Sequence, residues 1–267
     1  RELVFWNPFV VILFGKRSFT TIEGVIDGTN LKKALSFYGS IERMAKVINS
    51  FSKAFSITDF LRKKNWELHK FITQEKILSL GVDSSTFTPN VKDDLNAVVL
   101  IGGNLKNKGW DDYMQLAAFF PDLKFHVVGS GDNVFSPEEE IRKKKMKNVT
   151  CHGVLNHESL NILMQQVDLH VFPSRFEGFP KVILETSCTG VPSLIYSDYG
   201  AHEWITHNKN GFIVETLTEM QETISFLKKN KKALKKVSSA AIKLGKSFDW
   251  KMKVKTWEVE IEKLVKL

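Results

Sequence analysis

Asp168-Leu-His-Val-Phe172-Pro-Ser-Arg-Phe-Glu177-Gly-Phe-Pro180-Lys-Val-Ile-Leu-Glu185 is the stretch on which the reading of this chain turns. Leu169 to Phe172 is a short apolar run closed by Pro173 and Ser174, the mark of a buried strand. A loop from Arg175 to Phe179 follows. Pro180 then stands where a first helical residue is expected, since a missing N–H costs nothing there. Lys181 to Cys188 has helical character, and Gly190 with Pro192 ends it. Glu177 thus falls in a turn and Glu185, eight positions on, lies on the helix. Strand, turn and helix start in this order set backbone N–H groups at the carboxyl end of a parallel sheet, where anionic ligands collect.

The same alternation extends to both sides. Strands are expected at Ala97–Ile101, Lys124–Val128, Val149–His152, Asp168–Phe172, Ser193–Tyr196 and Gly211–Val214. Helices fall between them at about 109–119, 137–146, 156–166, 180–189 and 201–206, with two more at about 217–229 and 231–245. This is the pattern of a doubly wound α/β domain over residues 91–246, with a boundary near Asn90 to Leu95. Residues 1–90 read as part of a further Rossmann-like domain. Phe9–Phe14 is a strand ended by Gly15, and the next twenty residues, with Gly24, Gly28 and Asn30, are a loop. Leu35 to Phe51 carries helical spacing, Ala54–Ile57 is a strand, Thr58 or Asp59 caps a short helix, and Lys76–Leu80 is another strand candidate. The last segment, residues 247–267, carries Trp257, Ile261, Leu264 and Val265 on one stripe of an amphipathic helix that needs a partner.

The 267 residues are 43% hydrophobic and 25% charged, as in an ordinary soluble globular protein. Cys151 and Cys188 make neither a disulfide framework nor a metal site. No cleavable signal is visible, and the longest apolar run, Leu3 to Phe14, is too short to span a bilayer. A cytoplasmic protein is expected, touching membrane only at the surface. From Lys228 onward 13 lysines face Asp249, Glu258, Glu260 and Glu262, a balance of +9, while the preceding residues hold 25 basic and 26 acidic groups. That basic end suits an anionic bilayer or a solvated helix face. Nothing beside it resembles a nucleic-acid motif, so no nucleic-acid partner is expected.

Two glycine turns follow strands. In Ile101-Gly-Gly-Asn-Leu-Lys-Asn-Lys-Gly109 the backbone can approach a phosphate, and a lysine supplies a compact positive charge. Val128-Gly-Ser-Gly-Asp132 is a weaker signal of the same kind. Glu185 sits on an otherwise apolar helix, which costs stability unless hydroxyl donors meet its carboxylate, as vicinal ribose hydroxyls would. No Asp-x-Asp, Gly-x4-Gly-Lys-Ser/Thr, His-Glu-x2-His or Cys-x2-Cys occurs. Asn148-Val-Thr150 is a formal glycosylation sequon, read as a chance match.

Glu177 to Glu185 resembles the Glu-x7-Glu motif of retaining, nucleotide-sugar-dependent glycosyltransferases of family four, which have the GT-B fold. Pro173-Ser174 before it, Gly190-Val-Pro192 after it and Asn210-Gly-Phe212 downstream match as well. The resemblance implies that Glu177 meets the transferred sugar and Glu185 the ribose. Around them it places Gly178, Phe179, Pro180, Lys181 and Val182 against the donor, with main-chain N–H groups from Gly178 and Phe179. Relatives carry an Arg soon after the first glycines and then Lys-Gly, both cations facing the diphosphate. Here Gly103 and Lys108 match, Asn104 occupies the Arg place, and Lys106 is a nearby substitute. Val154 and Leu155 correspond to the loop that holds the base through its main chain, with His152 structural. Gly129 is a tight turn, with Ser130 or Gly131 near the donor, and the Asp198 loop borders the same sheet edge. Ser56-Ile-Thr-Asp59 and Leu80-Gly-Val-Asp83 resemble the late part of the family's first domain. About half of that domain is then missing at the front, and the start at Arg1 without Met favours a fragment. Phe14-Gly15 stands where many relatives have His-Gly.

The expectation is a GT-B protein with a partial acceptor-side domain (1–90), a donor-binding domain (91–246) and a helix (247–267) returning to the first. Its reaction would move a sugar from UDP or GDP to a hydroxyl of a glycan or lipid-linked acceptor, with retention and without metal or cofactor. Glu177 and Lys108 would be catalytic, and the setting would be surface polysaccharide or glycolipid synthesis. Two other readings stay open. One is a nucleotide-sugar-binding protein without turnover, favoured by Phe14 and Asn104. The other is a phosphorylase-like or epimerase-like enzyme on the same scaffold.

Overall fold

The computed structural model describes residues 18–132 and 134–266. The chain divides into two compact units. Residues through Gly81 group with Glu177–Phe179 and with the end of the chain from Lys251, while Val82–Phe176 and Pro180–Trp250 form the second unit. The division at Gly81 precedes the Asn90–Leu95 stretch, because Val82 hydrogen-bonds the second unit's Phe248 and Trp250.

In the first unit, β1 (Phe19–Ile22) pairs in parallel with β2 (Lys53–Ser56). β1 lies inside the stretch expected to be a loop; Thr20, Thr21 and Ile22 are β-branched and suit the pleat. The single helix expected from Leu35 to Phe51 is two helices, α1 (Gly28–Tyr38) and α2 (Ile41–Ser50). Gly39 turns left-handed at φ 80°, and the Ser40 side chain accepts from Arg43 N to start the second helix. Helix α3 (Asp59–His69) is capped by Thr58, which accepts from Leu61 N. Lys76–Leu80 is not a strand. It runs beside β2 with isolated bonds such as Leu78 N to Ser56 O, and its neighbouring apolar residues pack as irregular chain. The Phe9–Phe14 strand and Phe14-Gly15 lie outside the described residues.

The second unit is a six-stranded parallel sheet: β3 (Ala97–Gly102), β4 (Lys124–Gly129), β5 (Val149–Cys151), β6 (Leu169–Phe172), β7 (Ser193–Tyr196) and β8 (Phe212–Val214), in the order β5-β4-β3-β6-β7-β8. Every residue of β6 and β7 is buried, as expected of central parallel strands covered on both faces. The helices are α4 (Trp110–Phe119), α5 (Pro137–Lys143), α6 (His157–Met164), α7 (Lys181–Cys188), α8 (Leu217–Lys229) and α9 (Lys231–Ser247), followed by α10 (Trp250–Val265). The helix expected at 201–206 is a single 3-10 turn, Gly200–Glu203, and α5 stops three residues early, before left-handed Lys145. From Lys251 onward α10 belongs to the first unit, where Trp257 Nε1 donates to Ser79 O at 3.0 Å and Lys53 meets Glu260.

Helix α9 seats α7 through small residues. A Cβ at Gly245 would lie 2.6 Å from Cys188 N, and Ser238 Oγ donates to Gly190 O at 2.6 Å. The buried Cys188 thiol is pushed up to about 12 by desolvation, so it is packing rather than chemistry. Asn148 Nδ2 donates to Ala117 O, Phe120 O and Leu123 O, so the sequon asparagine is a structural tie. Among the described lysines of the basic end, Lys228, Lys231 and Lys235 pair with Asp122, Asp94 and Asp93. The basic residues also divide between the two units. No described helix is long and apolar enough to cross a membrane.

His170, at the centre of β6, is fully buried. Its Nδ1 lies 2.9 Å from Ser193 Oγ and its Nε2 has no described partner. Burial holds its pKa down at about 3, against an ordinary 6.5. The unfolded chain therefore takes up this proton at a higher pH than the folded one. Stability is lost as pH falls through that window, at up to about 1.4 kcal/mol per pH unit. His170→Gln is expected to flatten the acid limb of a Tm-versus-pH curve between about pH 6 and 4. An unchanged slope would assign the acid loss to other groups.

Candidate functional site

The sheet order 3-2-1-4-5-6, counted from β3, places its switch point between β3 and β6, where loops diverge to opposite faces. After β3 the chain turns through Gly102 and Gly103 into a 3-10 turn, Leu105–Lys108, and then α4. Asn104 starts that turn in a left-handed conformation at φ 43°, and its buried Oδ1 has no described partner. The Lys108 side chain folds back across Gly102: a Cβ there would lie 2.8 Å from Lys108 Cγ. Its ammonium sits 5.7 Å from the ring centre of Phe172, the last residue of β6. A cation is thereby held beside the switch point. Lys106 is exposed and pairs with Asp111, its Nζ 2.7 Å from Asp111 Oδ1.

The strand-end loops are joined by backbone contacts. Leu105 N donates to Ser130 O, and Gly129 N to Gly153 O. Ser174 Oγ donates to Asn107 O at 3.4 Å. Gly129 has φ 137°, and a Cβ on it would lie 1.7 Å from Gly102 O, so its glycine is a packing requirement, as expected for a tight turn. Beyond β5, Gly153 turns at φ 64° with nothing near its missing Cβ, and Val154 is exposed. Leu155 is half-buried. The main chain of this loop is therefore open to a ligand. His152 Nε2 lies 2.9 Å from His126 Nδ1, which explains the histidine structurally.

Helix α7 is capped at Pro180 and begins at Lys181, whose Nζ lies 6.0 Å from the ring centre of Trp250. Ile183 and Leu184 are buried, while Lys181, Val182 and Glu185 are half-buried on the open side. Desolvation raises the Glu185 pKa above its ordinary 4.5, with His157 and Lys181 pulling it back. No hydrogen-bond donor among the described residues reaches its carboxylate. The sign follows from the raised value: the neutral acid is favoured by the fold, and stability falls as pH rises through the folded pKa. Glu185→Gln should therefore melt higher at pH 7.5, by about 1–3 °C for a domain of this size. A lower Tm would mean that the carboxylate has a structural partner.

The structure thus gathers Gly103, Asn104, Lys108, Val154, Leu155, Lys181, Val182 and Glu185 within the second unit, and Pro180 with them. Glu177, Gly178 and Phe179 group with the first unit, where a Cβ on Gly178 would lie 2.4 Å from Glu23 O. The two glutamates of the motif therefore belong to different units. One cluster was not anticipated. Arg175, after β6, donates to Asp198 Oδ2 at 2.7 Å and lies 3.9 Å from the ring centre of Tyr196, whose hydroxyl donates to Asp112 at 2.7 Å. Its signal was the adjacency of β6 and β7, which sets their following loops side by side. Among the described residues no three His, Cys, Asp or Glu side chains are grouped to hold a metal ion.

The chain is 25% identical over 268 residues to poly(glycerol-phosphate) alpha-glucosyltransferase of Bacillus subtilis (strain 168), covering 88% of this chain and 39% of that protein. It is 24% identical over 259 residues to alpha-galactosylglucosyldiacylglycerol synthase of Streptococcus pneumoniae (strain ATCC BAA-255 / R6), covering 89% of this chain and 67% of that one. The chain therefore spans two fifths to two thirds of the length of these relatives. HepE of Anabaena, solved with UDP and glucose, superposes with a TM-score of 0.77 at 16% identity, over 98% of this chain and 77% of that chain. The structural neighbours of this chain are GT-B glycosyltransferases, in keeping with its α/β fold of parallel sheets. The family model described as glycosyl transferases group 1 matches residues 83–244, nearly the whole of the parallel-sheet unit with its glycine turns and helix α7. By that match the chain belongs to the group 1 glycosyltransferases.

Proposed function

We propose that this protein is a retaining glycosyltransferase that moves a sugar from a nucleoside diphosphate to a hydroxyl of a glycan or lipid-linked acceptor, without a metal ion. Two observations in the second unit carry the reading: the Lys108 cation beside the end of β6, and the Glu185 carboxylate, which no hydrogen-bond donor among the described residues reaches, on the helix that follows β6. The first suits a diphosphate, and the second suits the vicinal hydroxyls of a ribose. Family membership and the names of the relatives, two of which specify alpha products, support the same reading.

The leaving group is a diphosphate, so the chemical task is to stabilise charge that grows on it. Lys108 and the N–H groups of the Gly102–Gly103 turn would meet that charge. The N–H groups of Gly178 and Phe179 would meet the sugar or the phosphate nearest it. The unpartnered Asn104 Oδ1 can accept a hydrogen bond but cannot neutralise charge, which leaves Lys108 as the principal cation. Val154 and Leu155 would hold the base through their main chain, with uridine the first candidate because HepE was solved with UDP. Glu177 would orient the sugar.

Two readouts test this. Incubation of the intact protein with UDP- or GDP-hexoses and glycerol-phosphate or diacylglycerol-linked acceptors should yield an alpha-linked product in EDTA. Beta-linked product, or transfer abolished by EDTA and restored by Mg2+, would overturn the mechanism. Affinity for the nucleotide should also fall as pH drops towards the raised pKa of Glu185, at a higher pH than an ordinary glutamate would allow.

A further inference from the structure

Helix α3 and the extended segment after it line an open cavity of about 450 Å3 in the first unit. Its wall holds Trp66, which is 53% exposed, and Ile72, which is 66% exposed. Leaving an indole in water forgoes the largest burial any side chain offers. The ring is nevertheless held: Lys70 ends α3 in a left-handed turn and brings its Nζ to 4.2 Å from the ring centre. Thr73, also in the wall, has a buried hydroxyl with no described partner. Arg62 and Lys63 balance Glu67 and Glu75 around the rim. Both cations are already engaged by Asp59, and Glu75 has no described ion pair.

We propose that this cavity is a carbohydrate subsite for a neutral hexose unit. A pyranose presents an apolar C–H face that an indole can cover and a rim of hydroxyls that carboxylates and a threonine can bind. The balanced wall charges select against a phosphate or a nucleotide, and the unpartnered Thr73 hydroxyl and the Glu75 carboxylate select against a purely apolar ligand. The volume lies in the range of small-molecule sites. The proposal takes from the transferase reading only the origin of the sugar, an acceptor glycan.

The test is titration of the intact protein with maltotriose, cellotriose and chitotriose, read by saturation-transfer NMR and calorimetry. At least one probe should bind, with affinity lowered about tenfold or more by Trp66→Ala and severalfold by Thr73→Val, while Trp66→Phe retains most of it. Melting temperature and nucleotide affinity should stay unchanged in all three variants. Failure of every probe to bind, or binding that survives both Trp66→Ala and Thr73→Val, overturns the subsite. Nucleotide binding without glycan binding defeats this proposal alone, and glycan binding without nucleotide binding defeats the transferase reading alone.

Discussion

Lys108→Ala is expected to leave the fold intact and to lower the rate of sugar transfer by about 10²–10³-fold, measured as kcat at saturating acceptor. The side chain crosses Gly102 and ends beside Phe172, so truncation exposes space at the loop rather than opening a hole in the core. What disappears is the cation at the switch point. Asn104 carries no charge and Lys106 is paired with Asp111, so neither is placed to make good the loss. Because charge on the diphosphate grows in the transition state, kcat should fall further than nucleotide affinity. Equal losses in both would assign Lys108 to ground-state binding alone. Lys108→Arg should recover little, since the fold-back across Gly102 suits a narrow chain and a compact ammonium better than a planar fork.

Gly109→Ala is expected to be more damaging than any other single-methyl change at this loop. Gly109 stands at φ 84°, and the added Cβ would lie 2.2 Å from Pro173 O and 2.5 Å from Pro173 C. Both are backbone atoms and cannot swing aside. The loop after β3 and the end of β6 would have to separate, at a cost of about 2–4 kcal/mol from overpacking and left-handed strain together. The same shift would carry Lys108 away from Phe172. Chemical denaturation should reveal the stability loss, and a nucleotide titration the second effect. A variant as stable as the parent, with unchanged nucleotide affinity, would mean that the loop is looser than its contacts imply.

The parallel sheet was legible because its signals are local. The central strands β3, β6 and β7 are short apolar runs with Gly or Pro at one end, and strands covered on both faces leave no ambiguity of period. Helix ends were placed within a few residues for the same reason, and the loss was at weak terminators such as Lys145. The first unit was harder to read. Phe19-Thr-Thr-Ile is only four residues long and is a strand because β2 lies beside it, a partnership more than thirty residues away in sequence. Gly39-Ser40 breaks a helix whose apolar spacing runs on through the break, and spacing alone cannot register a single left-handed residue. At the candidate site, the turn that carries Lys108 and the helix that carries Glu185 were readable from local pattern. The Arg175, Tyr196, Asp198 and Asp112 cluster was not, because it joins the loop after β6, the end of β7 with the loop that follows it, and the first turn of α4, which only the sheet order brings together.

Calorimetric titration of the intact protein with UDP and GDP, repeated on Glu185→Ala, bears most directly on the donor site. One nucleotide should bind, and the alanine variant should bind it about 10–100-fold more weakly while melting no lower than the parent, the loss of two hydroxyl contacts to a charged acceptor. If neither nucleotide binds, or if Glu185→Ala binds as tightly as the parent, helix α7 does not carry the ribose and the assignment of this sheet edge to a nucleotide sugar is contradicted.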